Sequence, residues 1–73
     1  MGRVKLTKKQ KCVLESIKEF IASNGFPPTC IELKNILGYS SANSITEYLV
    51  AIERKGYIKR TPNIARSIVI LYK

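Results

Sequence analysis

The 73-residue chain has no histidine, no aspartate and no tryptophan, and only two cysteines. Without His or Asp, neither a Ser-His-Asp triad nor a Cys-His pair can be assembled. The only acids are Glu15, Glu19, Glu32, Glu47 and Glu53, and no Gly-rich phosphate loop accompanies them. No enzymatic activity is expected. Cys12 and Cys30 are too few and too far apart for a structural zinc site, which needs four ligands, so neither metal nor cofactor is expected. Two free thiols suit a reducing compartment. Cys30 falls in the first turn of a predicted helix, where a thiol's pKa can drop, but a small half-buried apolar role covers both cysteines. No apolar run approaches the ~18 residues of a membrane span. Residues 1–6 lack the apolar segment of a secretory signal. The reading is a cytoplasmic protein with no membrane partner.

Acids are scarce as well. Thirteen Lys and Arg stand against 5 Glu, a net charge of +8. For a chain this short, that bias favours a polyanionic partner, nucleic acid first and an anionic membrane surface second, although surplus lysine also serves plain solubility. The membrane alternative is weakened because no long apolar helix face is left free by packing. At 45% hydrophobic residues the chain is expected to fold, as one domain over residues 1–73 with a thin core.

Thr7 with Gln10 forms a capping box that opens a first helix. Val13, Leu14, Ile17, Phe20 and Ile21 recur on one face of it, and Asn24-Gly25 ends it. Phe26-Pro27-Pro28 cannot continue a helix. Thr29 with Glu32 is a second capping box; Leu33, Ile36 and Leu37 give that helix its buried side, and Gly38 ends it. After a short turn, Ser41 is the N-cap of a third helix. There Ile45, Tyr48, Leu49 and Ile52 fall at i, i+3, i+4 and i+7, and Gly56 closes the pattern. Two helices across a tight Gly-containing turn are a helix-turn-helix. The period then changes. Residues 57–61 and 66–72 read as strands joined by a turn at Pro62-Asn63. The expected fold is mainly α with a small β-hairpin: three helices and a two-stranded antiparallel wing, a winged helix-turn-helix.

An α-helix fits the major groove of DNA, and base edges there are read from the helix's N-terminal end. In the third helix that end carries Ser41, Asn43, Ser44, Thr46 and Glu47. Asn pairs bidentately with adenine, Glu accepts from cytosine N4, and Ser and Thr serve several bases. The same residue types also serve as ordinary capping and solvent-facing groups. Cations cluster at the start of the first helix (Arg3, Lys5, Lys8, Lys9, Lys11) and at the end of the third and in the wing (Arg54, Lys55, Lys59, Arg60, Arg66). Of these, Lys8, Lys9, Arg54, Lys55, Lys59, Arg60 and Arg66 are the candidates for holding phosphates beside the groove.

These residues carry a family resemblance. Leu6-Thr7-x-x-Gln10, Gly25-Phe26-Pro27-Pro28-Thr29, Glu32-Leu33, Leu37-Gly38-Tyr39, Ser41-x-Asn43, Glu47-x-Leu49, Arg54-Lys55-Gly56-Tyr57-Ile58 and Ala65-Arg66-x-Ile68 keep the spacing of the LexA family of SOS repressors. The sequence resembles the N-terminal DNA-binding domain of that family from Leu6 to Leu71. The resemblance implies a sequence-specific bacterial or phage repressor that binds double-stranded DNA, with Ser41, Asn43, Ser44, Thr46 and Glu47 facing the operator and Arg66 in the wing on a phosphate or minor groove. Thr46 stands where some members of the family carry Glu, and Ser44 where some carry Ala, which implies a related, not necessarily identical, operator. The family's second domain, with its dimerisation surface and Ser-Lys self-cleavage site, has no counterpart here. The chain then corresponds either to part of a longer protein or to a stand-alone regulator. A homodimer on paired half-sites is one expected assembly. Pairing with another regulator, as a protein-interaction module, is the alternative.

Overall fold

The computed structural model describes residues 5–61 and 64–71. The expected turn at Pro62-Asn63, the cation Arg3 and the last strand residue Tyr72 lie outside them.

Helix α1 (Lys8–Asn24) starts where the first capping box places it. The Thr7 hydroxyl accepts from the Gln10 N–H at 3.2 Å, and the Gln10 side chain accepts from the Thr7 N–H at 3.1 Å. Helix α2 (Cys30–Leu37) repeats the device with Thr29 and Glu32, at 3.1 and 2.9 Å. These reciprocal bonds satisfy N–H groups that the first turn of a helix leaves without partners. Both helices end on a glycine in the left-handed conformation, Gly25 at φ +81° and Gly38 at φ +75°. A Cβ at either position meets nothing within 4 Å, so glycine is favoured there by backbone conformation rather than by space. Helix α3 (Ala42–Arg54) is capped by Ser41, whose hydroxyl accepts from the Asn43 N–H at 3.1 Å.

The three helices pack on one another around Val13, Leu14 and Ile17 of α1, Leu33 of α2, and Ile45, Leu49 and Ile52 of α3, with Ile58 and Ile68 added from beyond α3. All are at most 6% exposed. Each such side chain contributes roughly 1.5–3 kcal/mol by leaving water. One assignment to the core is corrected. Ile36, expected on the buried side of α2, is 54% exposed. At about 100° per residue, Cys30, Leu33 and Leu37 share a narrow arc that meets α1 and α3, and Ile36 lies off its edge.

The wing is a two-stranded antiparallel sheet, and the chain is a winged helix-turn-helix. Its strands are shorter than expected: β1 (Ile58–Lys59) and β2 (Val69–Ile70) pair Ile58 with Ile70 and Lys59 with Val69. Side chains end the ladder early. The Ser67 hydroxyl donates to the Thr61 carbonyl and accepts from the Thr61 N–H, both at 3.0 Å. Arg66, at φ +58°, turns the chain out of the extended conformation. At the other end the Leu71 N–H donates to the Tyr57 carbonyl at 2.9 Å.

Candidate nucleic-acid interface

With Ile45, Leu49 and Ile52 fully buried, the opposite face of α3 points to solvent. That face carries Asn43, Glu47, Val50 and Arg54, all exposed. The spacing i, i+4, i+7, i+11 keeps them within an arc of about 60°. No other described residue pairs with the side chains of Asn43, Glu47 or Arg54. The other three candidate base readers sit differently. Ser41 uses its oxygen on the cap, and the Thr46 hydroxyl donates to the Ala42 carbonyl at 3.2 Å, so its proton is already engaged. Ser44 leans to one flank, where it shares an open cleft with Glu47, Tyr48 and Ala51 of α3, Tyr39, and Lys9 and Gln10 of α1. The Tyr39 and Tyr48 rings pack at 5.8 Å in this cleft and brace the helix-turn-helix turn against α3.

Val50 was not singled out in the sequence, because an apolar residue inside a helix is normally core. It is 39% exposed. Its position three residues after Glu47 and seven after Asn43 is the signal that places it on the outward stripe.

The cations divide into two groups. Lys8, Lys9, Arg54 and Lys59 are exposed and have no hydrogen bond or ion pair with the described residues. Lys55, Arg60 and Arg66 do have such partners. The Lys55 ammonium donates to the Gln10 side chain at 2.7 Å and to the Lys5 carbonyl at 3.0 Å, tying the end of α3 to the cap of α1. Arg60 pairs with Glu53 at 3.6 Å, and its N–H donates to the same carboxylate at 3.4 Å. Arg66 grips Glu32 bidentately at 2.9 and 2.8 Å, donates to the Pro27 carbonyl at 3.1 Å, and lies 4.6 Å over the Phe26 ring.

The Arg66 hydrogen bonds, and next the Thr29 N–H, hold the Glu32 carboxyl below the usual glutamate value. Stability from this pairing is therefore present in full above the unfolded pKa of about 4.3 and is lost as pH falls through the lower folded value. Glu32→Gln keeps the capping box, which accepts Gln as well as Glu, and removes the charge. Thermal melts from neutral pH down to pH 3 are expected to show the gap between the parent protein and Glu32→Gln closing as the pH drops. A gap that stays constant refutes the assignment.

Among the described residues, no three His, Cys, Asp or Glu side chains gather as metal ligands, and no helix is long and apolar enough to cross a membrane.

The fold and this outward helix face define the chain as a winged helix-turn-helix whose third helix carries an exposed stripe unpaired with any other described residue. The sequence pattern of the LexA DNA binding domain matches residues 3–67, and the chain belongs to that family. It is 46% identical over 65 residues to the LexA repressor of Hahella chejuensis, covering 89% of this chain and 32% of that protein. It is 47% identical over 64 residues to the LexA repressor of Saccharophagus degradans, covering 88% and 32%. Against LexA repressor 1 of Pseudomonas syringae pv. tomato the identity is 45% over 67 residues, covering 92% and 33%. The chain thus spans about a third of the length of these relatives.

Proposed function

We propose that the chain is the DNA-reading part of a transcriptional repressor that sets α3 in the major groove of double-stranded DNA. The observation that carries this reading is the stripe of Asn43, Glu47, Val50 and Arg54, exposed and unpartnered among the described residues, on a helix whose other face is locked in the core. Asn43 suits adenine N6 and N7, Glu47 suits cytosine N4, and the Val50 methyls suit the methyl group of thymine. A carboxylate facing a polyanion is electrostatically costly, so Glu47 fits there as a base reader rather than as an anchor. Ser41, Ser44 and Thr46 flank the stripe and add contacts from the spare capacity of their hydroxyls.

Lys9 borders the cleft on the Ser44 flank, and Glu53 with Arg60 marks the opposite flank, where β1 packs against α3. Lys8 and Lys9 on one side, and Lys59 on the other, are therefore assigned to phosphates, with Arg54 at the far end of the helix. One such helix makes few base contacts, so tight binding calls for a second copy on a neighbouring half-site.

Titration of a labelled duplex at several salt concentrations tests the phosphate assignment. Affinity is expected to fall linearly on a log–log plot, with a slope of about −0.9 per neutralised phosphate. Lys59→Ala is expected to weaken specific and random duplexes about equally and to lower the slope by about 1. An unchanged slope rules Lys59 out as a phosphate contact.

A further inference from the structure

We propose that Arg66 acts as a positioning residue: its guanidinium clamps the wing onto the start of α2 through Glu32 and thereby sets where the wing meets DNA. The inference rests on the DNA-binding reading above and adds a division of labour within it. Lys59 touches the phosphate; Arg66 holds the strand pair that carries Lys59.

The clamp is built from four contacts. Two parallel bonds join Arg66 to the two oxygens of Glu32, a third reaches the Pro27 carbonyl, and the guanidinium plane covers Phe26. Glu32 is itself fixed, since one of its oxygens also accepts from the Thr29 N–H at 2.9 Å. Arg66 thus bridges the wing, the turn between α1 and α2, and the cap of α2. The residue adopts φ +58°, a conformation that a non-glycine residue keeps only when its surroundings enforce it. Next to it, Ser67 locks Thr61 across the hairpin. The paired strands contribute only two residues each, too short a ladder to fix the wing's direction by itself. Three of the guanidinium's five N–H donors are directed at a carboxylate and a carbonyl inside the chain, which leaves two for a phosphate.

The clamp and a direct phosphate contact lead to opposite expectations for the same substitution. Glu32→Gln removes a negative charge, taking the net charge from +8 to +9, and a Gln at this position keeps the capping box. Simple attraction to a polyanion then predicts equal or tighter binding. The clamp predicts weaker binding, by about two- to five-fold, the range of a partly exposed ion pair. Arg66→Lys keeps the charge and loses the fork. The clamp predicts that it behaves like Glu32→Gln and that the double variant is no worse than either single one.

The experiment titrates the parent protein, Glu32→Gln, Arg66→Lys and the double variant against a labelled 30-base-pair random duplex at several salt concentrations, below all melting transitions. Hydrogen exchange is followed in parallel without DNA at the Thr61 and Leu71 amides. Weaker binding of both single variants, with faster exchange at those two amides and unchanged protection along α3, supports the clamp. Equal or tighter binding by Glu32→Gln overturns it, as does unchanged exchange at Thr61 and Leu71. A parent protein that leaves the duplex unbound overturns the DNA-binding reading itself, and the exchange result then decides the clamp alone.

Discussion

Leu49→Ala is expected to cost about 2–5 kcal/mol of folding stability. The side chain is 0% exposed and lies in the middle of α3, in the cluster with Val13, Leu14 and Ile17 of α1 and Leu33 of α2. Its loss leaves a hole where the three helices meet, and a core this small has few other contacts with which to close it. Domains of this length often hold only about 3–5 kcal/mol in total, so the variant is expected to be largely unfolded at room temperature. A melting temperature shift of about 4–8 °C per kcal/mol makes even the low end easy to see by circular dichroism. The control is the next residue along. Val50→Ala truncates an exposed side chain on the same helix and replaces a β-branched residue by the best helix former, so its stability should stay within about 0.5 kcal/mol of the parent or rise. A Leu49→Ala variant that melts within a few degrees of the parent refutes the packing described for α3. Because Leu49 lies directly behind the outward stripe, its loss also predicts loss of DNA binding, whereas Val50→Ala should change which sequences are preferred.

The contrast between Leu49 and Val50 shows where the sequence was readable. Signals that act within four residues could be read directly. Both Thr-x-x-Gln/Glu boxes, the Ser41 cap and the glycines after α1 and α2 sit where their spacing puts them, because each depends only on local backbone bonds. Periodicity found Ile45, Leu49 and Ile52 for the same reason. Contacts between distant residues were not readable. Lys55 with Gln10 and Arg66 with Glu32 are separated by 45 and 34 positions. Which surface cation finds which acceptor is decided by how the helices pack. From composition alone all the clustered cations look alike; among the described residues the fold divides them into those that tie elements together and those that face solvent unpartnered. The second strand illustrates the same limit. A β-branched run over 66–72 reads as extended throughout, but with a left-handed Arg66 and the Ser67 hydroxyl bonded to Thr61 the pairing starts only at Val69. Ile36 followed an apolar pattern that the contact face of so short a helix was too narrow to use.

Asn43→Ala separates sequence reading from the rest of binding. The Asn43 N–H is held by the Ser41 hydroxyl, but that bond belongs to the backbone and survives truncation of the side chain. Alanine is also the better helix former. The fold should therefore be unaffected, and melting curves of the two proteins should overlay. The carboxamide, exposed and without a partner in the described structure, offers one donor and one acceptor to a base edge. A bidentate pair with adenine is worth about 1–3 kcal/mol of discrimination, so affinity for the preferred half-site should fall about 5- to 150-fold. Affinity for random duplex should hardly move, because phosphate contacts supply essentially all of non-specific binding and none of them is removed. The salt slope should stay constant for the same reason, in contrast to Lys59→Ala. The measurement needs a preferred sequence, which selection of bound duplexes from a random pool supplies and which also shows whether half-sites come in pairs. Equal losses on the selected and the random duplex would place Asn43 among general anchors and remove α3's N-terminal half as the reading element. A loss confined to the selected duplex, with Glu47→Ala changing preference at a neighbouring base pair, would fix the direction in which α3 lies along the groove, since the two residues are one turn apart on the same helix face.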